Sequence, residues 1–228
     1  MKKSVKGLLI TLAVLVFAIG IAAGLAWSWY SSVVPARPSP TPMPKANLPW
    51  SDDFSDPTSG WYTEVGSGAE VGYQEGVIRV FIEGANLSAW AFGGHEFSDF
   101  RLAIDATQVA GPDDNEYGVQ VRIRDSDHFY RFSISGDGYF QVTKHTKGER
   151  PELMTAEWVE SDAINKGAAT NHLEVVCQGP AMTFFVNGQQ LAQVEDADYT
   201  SGDIGLYAGA FFETGVEIHF DNLSITEP

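Results

Sequence analysis

Apolar and polar residues alternate along most of the chain beyond residue 50, with the period of two that a strand with one buried face produces. Turn-forming Gly, Asn, Asp and Pro residues separate these short runs. Besides a central group of three, the predicted strands cover residues 69–73, 77–83, 87–92, 97–109, 171–178, 181–186, 189–195, 203–210 and 216–226. This succession predicts an all-β domain with two antiparallel sheets packed as a sandwich.

The clearest alternation lies in three successive strands at the centre of the chain, residues 117–124, 129–134 and 139–145. Their apolar positions, Ile123 included, predict one face buried in the core, and the intervening positions predict a polar and aromatic face opposite. We expect that second face to bind a ligand. The candidate ligand-binding residues are Gln120, Arg122, Phe129, Arg131, Ser133, Tyr139, Gln141 and His145, with Trp90 from another strand.

The residue types on this face suit a sugar. Arg122 and Arg131 carry planar guanidinium groups that donate hydrogen bonds to hydroxyl groups or to a carboxylated sugar. The rings available for stacking on the apolar side of a pyranose are Phe129, Tyr139 and Trp90. The alternative is that the arginines form ion pairs with acidic residues on neighbouring strands. The acidic candidates for such pairs are Asp105, Glu116 and Glu174.

An apolar segment at residues 7–30 contains no charged residue. As a helix it is about 36 Å long, enough to cross a hydrocarbon core of about 30 Å. Lysines precede it and aromatic residues end it: Lys2, Lys3, Lys6, Trp27, Trp29 and Tyr30. This predicts one transmembrane α-helix in the cell membrane, residues 1–6 in the cytoplasm, and an extracytoplasmic C-terminal domain. The alternative is a signal peptide cleaved near residues 24–26.

Residues 31–49 form a proline-rich linker between this segment and the domain at residues 50–228. The prolines are Pro35, Pro38, Pro40, Pro42, Pro44 and Pro49. Because proline disfavours helices and central strands, we expect a semi-rigid, extended tether that holds the domain away from the bilayer.

The charge balance excludes some partners. The net charge is -16, and all 30 acidic residues lie at or beyond Asp52. The resulting field repels nucleic acids and anionic membrane surfaces, so we expect no nucleic-acid partner. Cys177 is the single cysteine, which excludes an intramolecular disulfide and disfavours a zinc or Fe–S site.

Six motifs, taken in order, carry a resemblance to a known superfamily. They are DDFSDPTSGW at 52–61, FSDFRLAIDATQV at 97–109, YGVQVRIRDSDHFYRFSIS at 117–135, HLEVVCQGPAMTFFVNGQQL at 172–191, SGDIGLYAG at 201–209 and VEIHFDNLSI at 216–225. Their order resembles the concanavalin A-like lectin/glucanase superfamily, in particular domains grouped with 3-keto-disaccharide hydrolases and laminin G-like modules. The resemblance implies a two-sheet jelly roll whose concave face binds carbohydrate.

In laminarinase-like members of that superfamily, the strand matching residues 128–135 carries the catalytic E-x-D-x-x-E carboxylates. Here that strand places Phe129, Arg131 and Ser133 on the corresponding face, and no E-x-D-x-x-E occurs in the chain. Retaining glycoside cleavage needs two carboxyl groups about 5–5.5 Å apart. The sequence therefore disfavours a glycosidase of that type and leaves open an enzyme whose acids come from loops.

These observations predict a membrane-anchored module that binds a glycan or polysaccharide without cleaving it. One alternative is a sugar-processing enzyme of the 3-keto-disaccharide hydrolase type, which loop acids or a histidine near Arg131 would favour. Another is a structural or adhesion ectodomain with a protein partner, which an exposed apolar patch would favour.

Two further features concern metals and tryptophans. Asp53 and Asp221 lie at opposite ends of the domain sequence, which are neighbours in jelly rolls. Hard oxygen ligands of this kind suit Ca²⁺, and related domains hold a structural calcium, so the two residues are candidate ligands; the alternative is a solvated acidic surface. Trp61 and Trp158 are candidate stacking platforms, although Trp61 enters a strand after a turn and suits the core.

Overall fold

The computed structural model describes residues 31–32 and 43–228, apart from Glu64 and Ser67. The chain divides into two compact units, Met1–Ser32 and Val33–Pro228. The predicted cytoplasmic residues 1–6 and transmembrane helix at residues 7–30 lie outside the described residues. Within the part that the structure describes, no helix has the length and apolar character needed to cross a membrane.

Seventeen strands are formed in the described residues. In chain order they are β1 (Ser31–Ser32), β2 (Trp50–Asp52), β3 (Val65–Gly66), β4 (Ala69–Gln74), β5 (Val77–Ile82), β6 (Leu87–Phe92), β7 (Phe100–Ala110), β8 (Asn115–Asp125), β9 (His128–Ile134), β10 (Tyr139–His145), β11 (Glu152–Leu153), β12 (Val159–Glu160), β13 (Thr170–Gln178), β14 (Ala181–Val186), β15 (Gln189–Glu195), β16 (Asp203–Ala210) and β17 (Val216–Thr226).

The second unit contains two sheets. The front sheet has the order β6-β16-β8-β9-β10-β11, with β12 also paired to β10. The back sheet has the order β15-β14-β13-β7-β17-β5-β4-β3, with β2 paired to β17. The strands of both sheets pair antiparallel throughout. The prediction of an all-β, two-sheet antiparallel sandwich is confirmed.

The core lies between the two sheets and is built from the apolar positions that the alternation predicts. On the front sheet, Val119 and Phe132 are fully buried, and on the back sheet Ile104 and Phe184 are fully buried. The rings of Phe132 and Phe184 join the sheets, with centroids 5.2 Å apart. Trp61, with 5% of its surface exposed, belongs to the same core, as its position after a turn predicts.

The hairpin between β14 and β15 shows how local sequence fixes the register of the back sheet. Asn187 and Gly188 form its turn, with φ angles of 50° and 80°. Positive φ at both positions is the requirement of a type I′ turn, for which Asn-Gly is the preferred pair. Val186 and Gln189 pair directly across this turn, as the Asn-Gly signal predicts.

Candidate functional site

The front face is the surface of the front sheet that points away from the back sheet. Strand alternation assigns to it Ser88, Trp90, Phe92, Glu116, Gln120, Ile123, Phe129, Arg131, Ser133, Tyr139, Gln141, Thr143, His145, Asp203 and Tyr207. These side chains come from β6, β16, β8, β9 and β10, which are consecutive neighbours. Since neighbouring strands lie about 4.8 Å apart, the five strands span about 19 Å, wide enough for a small ligand.

One row of paired residues crosses the centre of the front face. Trp90 pairs with Tyr207, Tyr207 with Gly118, and Gly118 with Ser133. Gly118 has no side chain, so the Tyr207 ring can cross β8, and its hydroxyl forms a hydrogen bond with the Ser133 hydroxyl on β9. The Arg131 guanidinium lies over the same ring, with Cζ 4.3 Å from the centroid. Aromatic rings therefore lie next to a fixed arginine at the centre of the front face.

The next row runs from Phe92 through Gly205 and Gln120 to Arg131. A Cβ atom on Gly205 would lie 3.0 Å from Oε1 of Gln120, closer than Cβ contacts ordinarily come. Gly205 therefore makes room for the Gln120 amide at the centre of the face. Phe92 and Trp90 pack edge-on at the β6 side, with ring centroids 6.0 Å apart.

Several polar groups on the front face have no hydrogen-bond partner among the described residues. They are Oγ of Ser88, Nε1 of Trp90, and both Nε2 and Oε1 of Gln120, all buried. A buried polar group without a partner costs about 1–3 kcal/mol, and such groups are rare in native proteins. They are donors and an acceptor at the front face, and because each is buried, a polar ligand would pair with them only after neighbouring side chains shift.

Arg131 also has an acidic neighbour on this face. Its Nη1 lies 3.6 Å from Oε1 of Glu116 on β8, and both side chains are 7% exposed. The sequence-based alternative, in which an arginine of this face pairs with Glu116, therefore holds for Arg131. Glu174, another predicted partner, instead binds Arg101 on the back sheet at 2.6 Å. Arg131 is thus held by Tyr207 and Glu116 while it remains part of the face.

His145 lies at the edge of the same face on β10. Its ring stacks on Phe129 with centroids 4.2 Å apart and planes inclined by 15°. The Nε2 atom is 3.1 Å from Oγ1 of Thr143. Burial, together with the nearby charge of Arg131, lowers the pKa of His145 to about 2. The imidazole is therefore neutral near pH 7 and offers hydrogen bonding rather than charge.

Arg122 does not lie on the front face, and the expectation that it does is wrong. The pairing of β8 with β9 changes register after Val121, and Arg122 adopts a φ of 54°. This bulge turns the guanidinium toward the back sheet, where it donates to the carbonyls of Gly179 at 2.6 Å and Tyr199 at 3.2 Å. For the same reason Ile123, predicted for the core, joins the apolar cluster of the front face.

The other predicted binding residues share one face, although their roles in binding remain predictions. Those that the structure brings together are Trp90, Gln120, Phe129, Arg131, Ser133, Tyr139, Gln141 and His145. Sequence reasoning did not place Ser88, Phe92 and Tyr207 with them. These three lie on β6 and β16, whose residues are all buried. Because both faces of these strands are buried, their sequences lack the polar alternation that marks a binding face.

The predicted calcium ligands, Asp53 and Asp221, lie at a different place. Oδ1 of Asp53 accepts from the Ser55 amide at 3.1 Å, and Oδ1 of Asp221 accepts from the Asn222 amide at 2.6 Å. Among the described residues, no group of three His, Cys, Asp or Glu side chains is arranged to hold a metal ion. A structural calcium at Asp53 and Asp221 remains a prediction.

Comparisons with known proteins extend this description. The carbohydrate-binding module CBM66 from Bacillus subtilis has a similar fold, with a TM-score of 0.59 and 16% identity over 74% of this chain and 96% of that chain. The Bacillus licheniformis beta-glucanase gives a TM-score of 0.60 and 11% identity over 81% of this chain and 100% of that chain. These identities show similarity of fold alone.

Sequence comparison identifies the family. No curated protein sequence matches the chain. A family model described as the 3-keto-alpha-glucoside-1,2-lyase-like domain matches residues 49–226, the whole of both sheets. The chain belongs to the 3-keto-alpha-glucoside-1,2-lyase-like domain family.

Proposed function

We propose that the front face binds a glycan or polysaccharide without cleaving it. The observation that carries this proposal is the set of buried, unpartnered polar groups of Ser88, Trp90 and Gln120 beside aromatic rings. A sugar hydroxyl both donates and accepts hydrogen bonds, so one sugar residue would satisfy the Trp90 donor and the Gln120 amide together. This ligand would remove the cost of leaving those groups without partners.

Arg131 would supply the strongest single contact. A guanidinium presents a planar fork of donors, and this one is fixed by the Tyr207 ring beneath it and by Glu116 beside it. A donor whose conformation is already fixed loses little entropy when it binds. Phe129 and His145 would then offer a stacked surface next to the arginine for the apolar side of the sugar.

The similarity in fold to a carbohydrate-binding module is consistent with this proposal. We also propose that residues 7–30 anchor the chain in the cell membrane and that the sandwich lies on the extracytoplasmic side. The support is the uncharged segment, the lysines before it and the aromatic residues at its end. A protease added to intact cells would then degrade the sandwich; its protection until the cells are lysed would contradict this orientation.

The test of binding is a glycan array and polysaccharide pull-down with the full chain in detergent, with released sugars measured in the same samples. Arg131→Ala is the test variant, and Arg101→Ala is the matched control because Arg101 lies on the back sheet in an ion pair. Binding lost in the first variant, kept in the second and unaccompanied by sugar release supports the proposal. Failure of the wild-type chain to bind any glycan contradicts it and favours a protein partner.

A second candidate function is enzymatic, and two observations favour it. The chain belongs to a family named for a lyase, and Glu116 is a carboxylate within 3.6 Å of Arg131 on the front face. A 1,2-elimination in a 3-keto-glucoside needs a base that removes the C2 proton; the electrons move toward the ketone and the bond from C1 to the leaving group breaks. Glu116 would act as the base and Arg131 would stabilise the developing negative charge.

This alternative is tested by incubation with a 3-keto-α-glucoside that carries a chromogenic leaving group. Release of the group by the wild type, and loss of release in Glu116→Gln with ligand binding retained, would establish the enzyme. Equal release by wild type and Glu116→Gln would exclude Glu116 as the base.

A further inference from the structure

A cavity of about 260 Å³ opens beside the front face at the end of the sheet where β9 turns into β10. We call it the aromatic cavity. It is lined by Asp114, Ser135, Asp137, Tyr139, Trp158 and Phe211. Its volume lies just below the range of about 300–1,000 Å³ typical of drug-sized ligands, which suits one small group.

The aromatic cavity and the front face share Tyr139. This residue begins β10 on the front face, and it also lines the cavity. Asp114 and Ser135, which line the cavity too, lie immediately outside β8 and β9. A ligand on the front face would therefore reach the aromatic cavity along Tyr139.

Two rings form a corner of this cavity. Trp158 and Phe211 lie nearly perpendicular, with planes at 85° and centroids 6.0 Å apart. Trp158 has a φ of 38°, a left-handed conformation that residues with a side chain rarely adopt. The pairing of the next residue, Val159, with Phe140 on β10 holds this conformation in place. The faces of such rings carry partial negative charge.

Carboxylates complete the lining. Asp114 is exposed and makes no hydrogen bond or ion pair with any residue that the structure describes. Asp137 accepts a hydrogen bond from the Ser135 hydroxyl, which fixes one of its oxygens. A positive group, Lys166, lies beside Gly138 at this turn. Its Nζ is paired with Glu160 at 3.1 Å, so among the described lining residues the two aspartates leave an excess of negative charge.

We propose that the aromatic cavity binds an organic ammonium group. Aromatic faces attract a cation electrostatically, and two carboxylates beside them add charge complementarity. An anion or a neutral apolar group lacks the second attraction. If the front face binds carbohydrate as proposed, the ligand is a glycan with a free, protonated amino group. The amino group would occupy the aromatic cavity while a neighbouring sugar residue occupies the front face.

The cavity is tested separately from glycan binding with a small cation. The full chain is titrated calorimetrically with choline and with 3,3-dimethyl-1-butanol, which has the same shape without the charge. The test variants are Trp158→Leu and Asp114→Asn. The control is Asp127→Asn, which makes the same charge change at the opposite end of the hairpin between β8 and β9.

We expect choline to bind more tightly than the alcohol, and Trp158→Leu to weaken choline by about 2- to 30-fold, the range of a cation–aromatic contact. Asp114→Asn should weaken choline and leave the alcohol unchanged, while Asp127→Asn should change neither. Equal binding of choline and the alcohol, or no choline binding, would overturn the inference.

A glycan comparison then tests the ligand class. Chitosan oligosaccharides, with free amino groups, should bind the wild type more tightly than chitin oligosaccharides, whose amino groups are acetylated, and Asp114→Asn should reduce that preference. Equal binding of the two would overturn the inference and leave carbohydrate binding intact. If no glycan binds while choline still does, the proposed function and the glycan part of the inference would both be overturned.

Discussion

The guanidinium of Arg131 on β9 lies 4.3 Å above the ring of Tyr207 on β16, two strands away. The contact is formed because β8 lies between those strands and presents Gly118 at the crossing point. The Tyr207 hydroxyl also reaches Ser133, so one ring orients an arginine and a serine at once. This relationship makes Tyr207 a positioning residue for the proposed binding face.

Substitutions of Tyr207 separate its ring from its hydroxyl. Tyr207→Phe keeps the ring under Arg131 and removes one hydrogen bond, so we expect a stability loss of about 1 kcal/mol and retained glycan binding. Tyr207→Ala removes the ring and should cost about 3–5 kcal/mol of stability. It should also abolish binding by the protein that remains folded. Denaturant titration measures the stability of each variant, and calorimetry of the folded protein measures its glycan affinity. Full glycan affinity in Tyr207→Ala would contradict the role assigned to the ring.

Gly205 tests whether the centre of the front face must stay open. The methyl group of Gly205→Ala would lie 3.0 Å from Oε1 of Gln120 and 3.1 Å from Cδ1 of Ile123. We expect it to displace the Gln120 amide and weaken glycan binding at least tenfold, a loss of about 1.4 kcal/mol. Gly72→Ala is the matched control, because a Cβ there meets nothing within 4 Å. Equal affinities for the two variants would show that Gln120 does not contact the ligand.

We predict that Arg122 contributes to stability, whereas Arg131 contributes to ligand binding. Arg122 is fully buried and donates to two backbone carbonyls, so Arg122→Met would leave these acceptors without partners. At about 1–3 kcal/mol for each of the two unsatisfied carbonyls, unfolding by denaturant should require about 2–6 kcal/mol less free energy. Glycan affinity of the folded protein should be unchanged. Weaker binding at unchanged stability would instead place Arg122 in the binding site.

The pH dependence of stability should report the environment of His145. Its pKa is about 2 in the folded protein because of burial and the charge of Arg131, against about 6.5 in an unfolded chain. Below about pH 6.5 the unfolded chain therefore binds a proton that the folded protein does not, and the free energy of unfolding falls as the pH falls. The slope from this group is at most about 1.4 kcal/mol per pH unit.

His145→Phe keeps the stacking on Phe129 and should remove this part of the pH dependence. His172→Phe, which changes a half-exposed histidine on the back sheet, should leave it in place. Denaturant unfolding between pH 7 and pH 4 measures the slopes. Identical slopes for wild type and His145→Phe would show that His145 titrates near its ordinary value in the fold.

The sequence predicts much of this architecture because burial imposes a period of two on each strand. The sandwich, the Asn187-Gly188 hairpin and the common face of Phe129, Arg131 and Ser133 all follow from that period. Arg122 departs from it because β8 carries one extra residue between Gln120 and Ile123 relative to β16, which reverses the assignments of Arg122 and Ile123. Nothing in the alternation of apolar and polar residues marks the place of that bulge.

The contact of Arg131 with Tyr207 could not be predicted from the sequence, for a different reason. Tyr207 lies 76 positions away in the chain, and its strand has no polar alternation because both of its faces are buried. Strand order decides which residues meet across a sheet, and here β16 enters between β6 and β8. That order depends on the packing of the whole sandwich. The sequence therefore predicts the part of the site that lies on β8, β9 and β10. It does not predict the part that β6 and β16 supply.

The central claim, that a glycan binds on the front face, is tested most directly by the indole N–H signals of the tryptophans in an NMR titration. Nε1 of Trp90 is buried on that face without a partner among the described residues, whereas Nε1 of Trp61 donates to Asp52 at 3.0 Å. Added glycan should move the Trp90 signal downfield as its N–H gains an acceptor and should leave the Trp61 signal in place. A saturable titration in which the Trp90 signal does not move would contradict the claim.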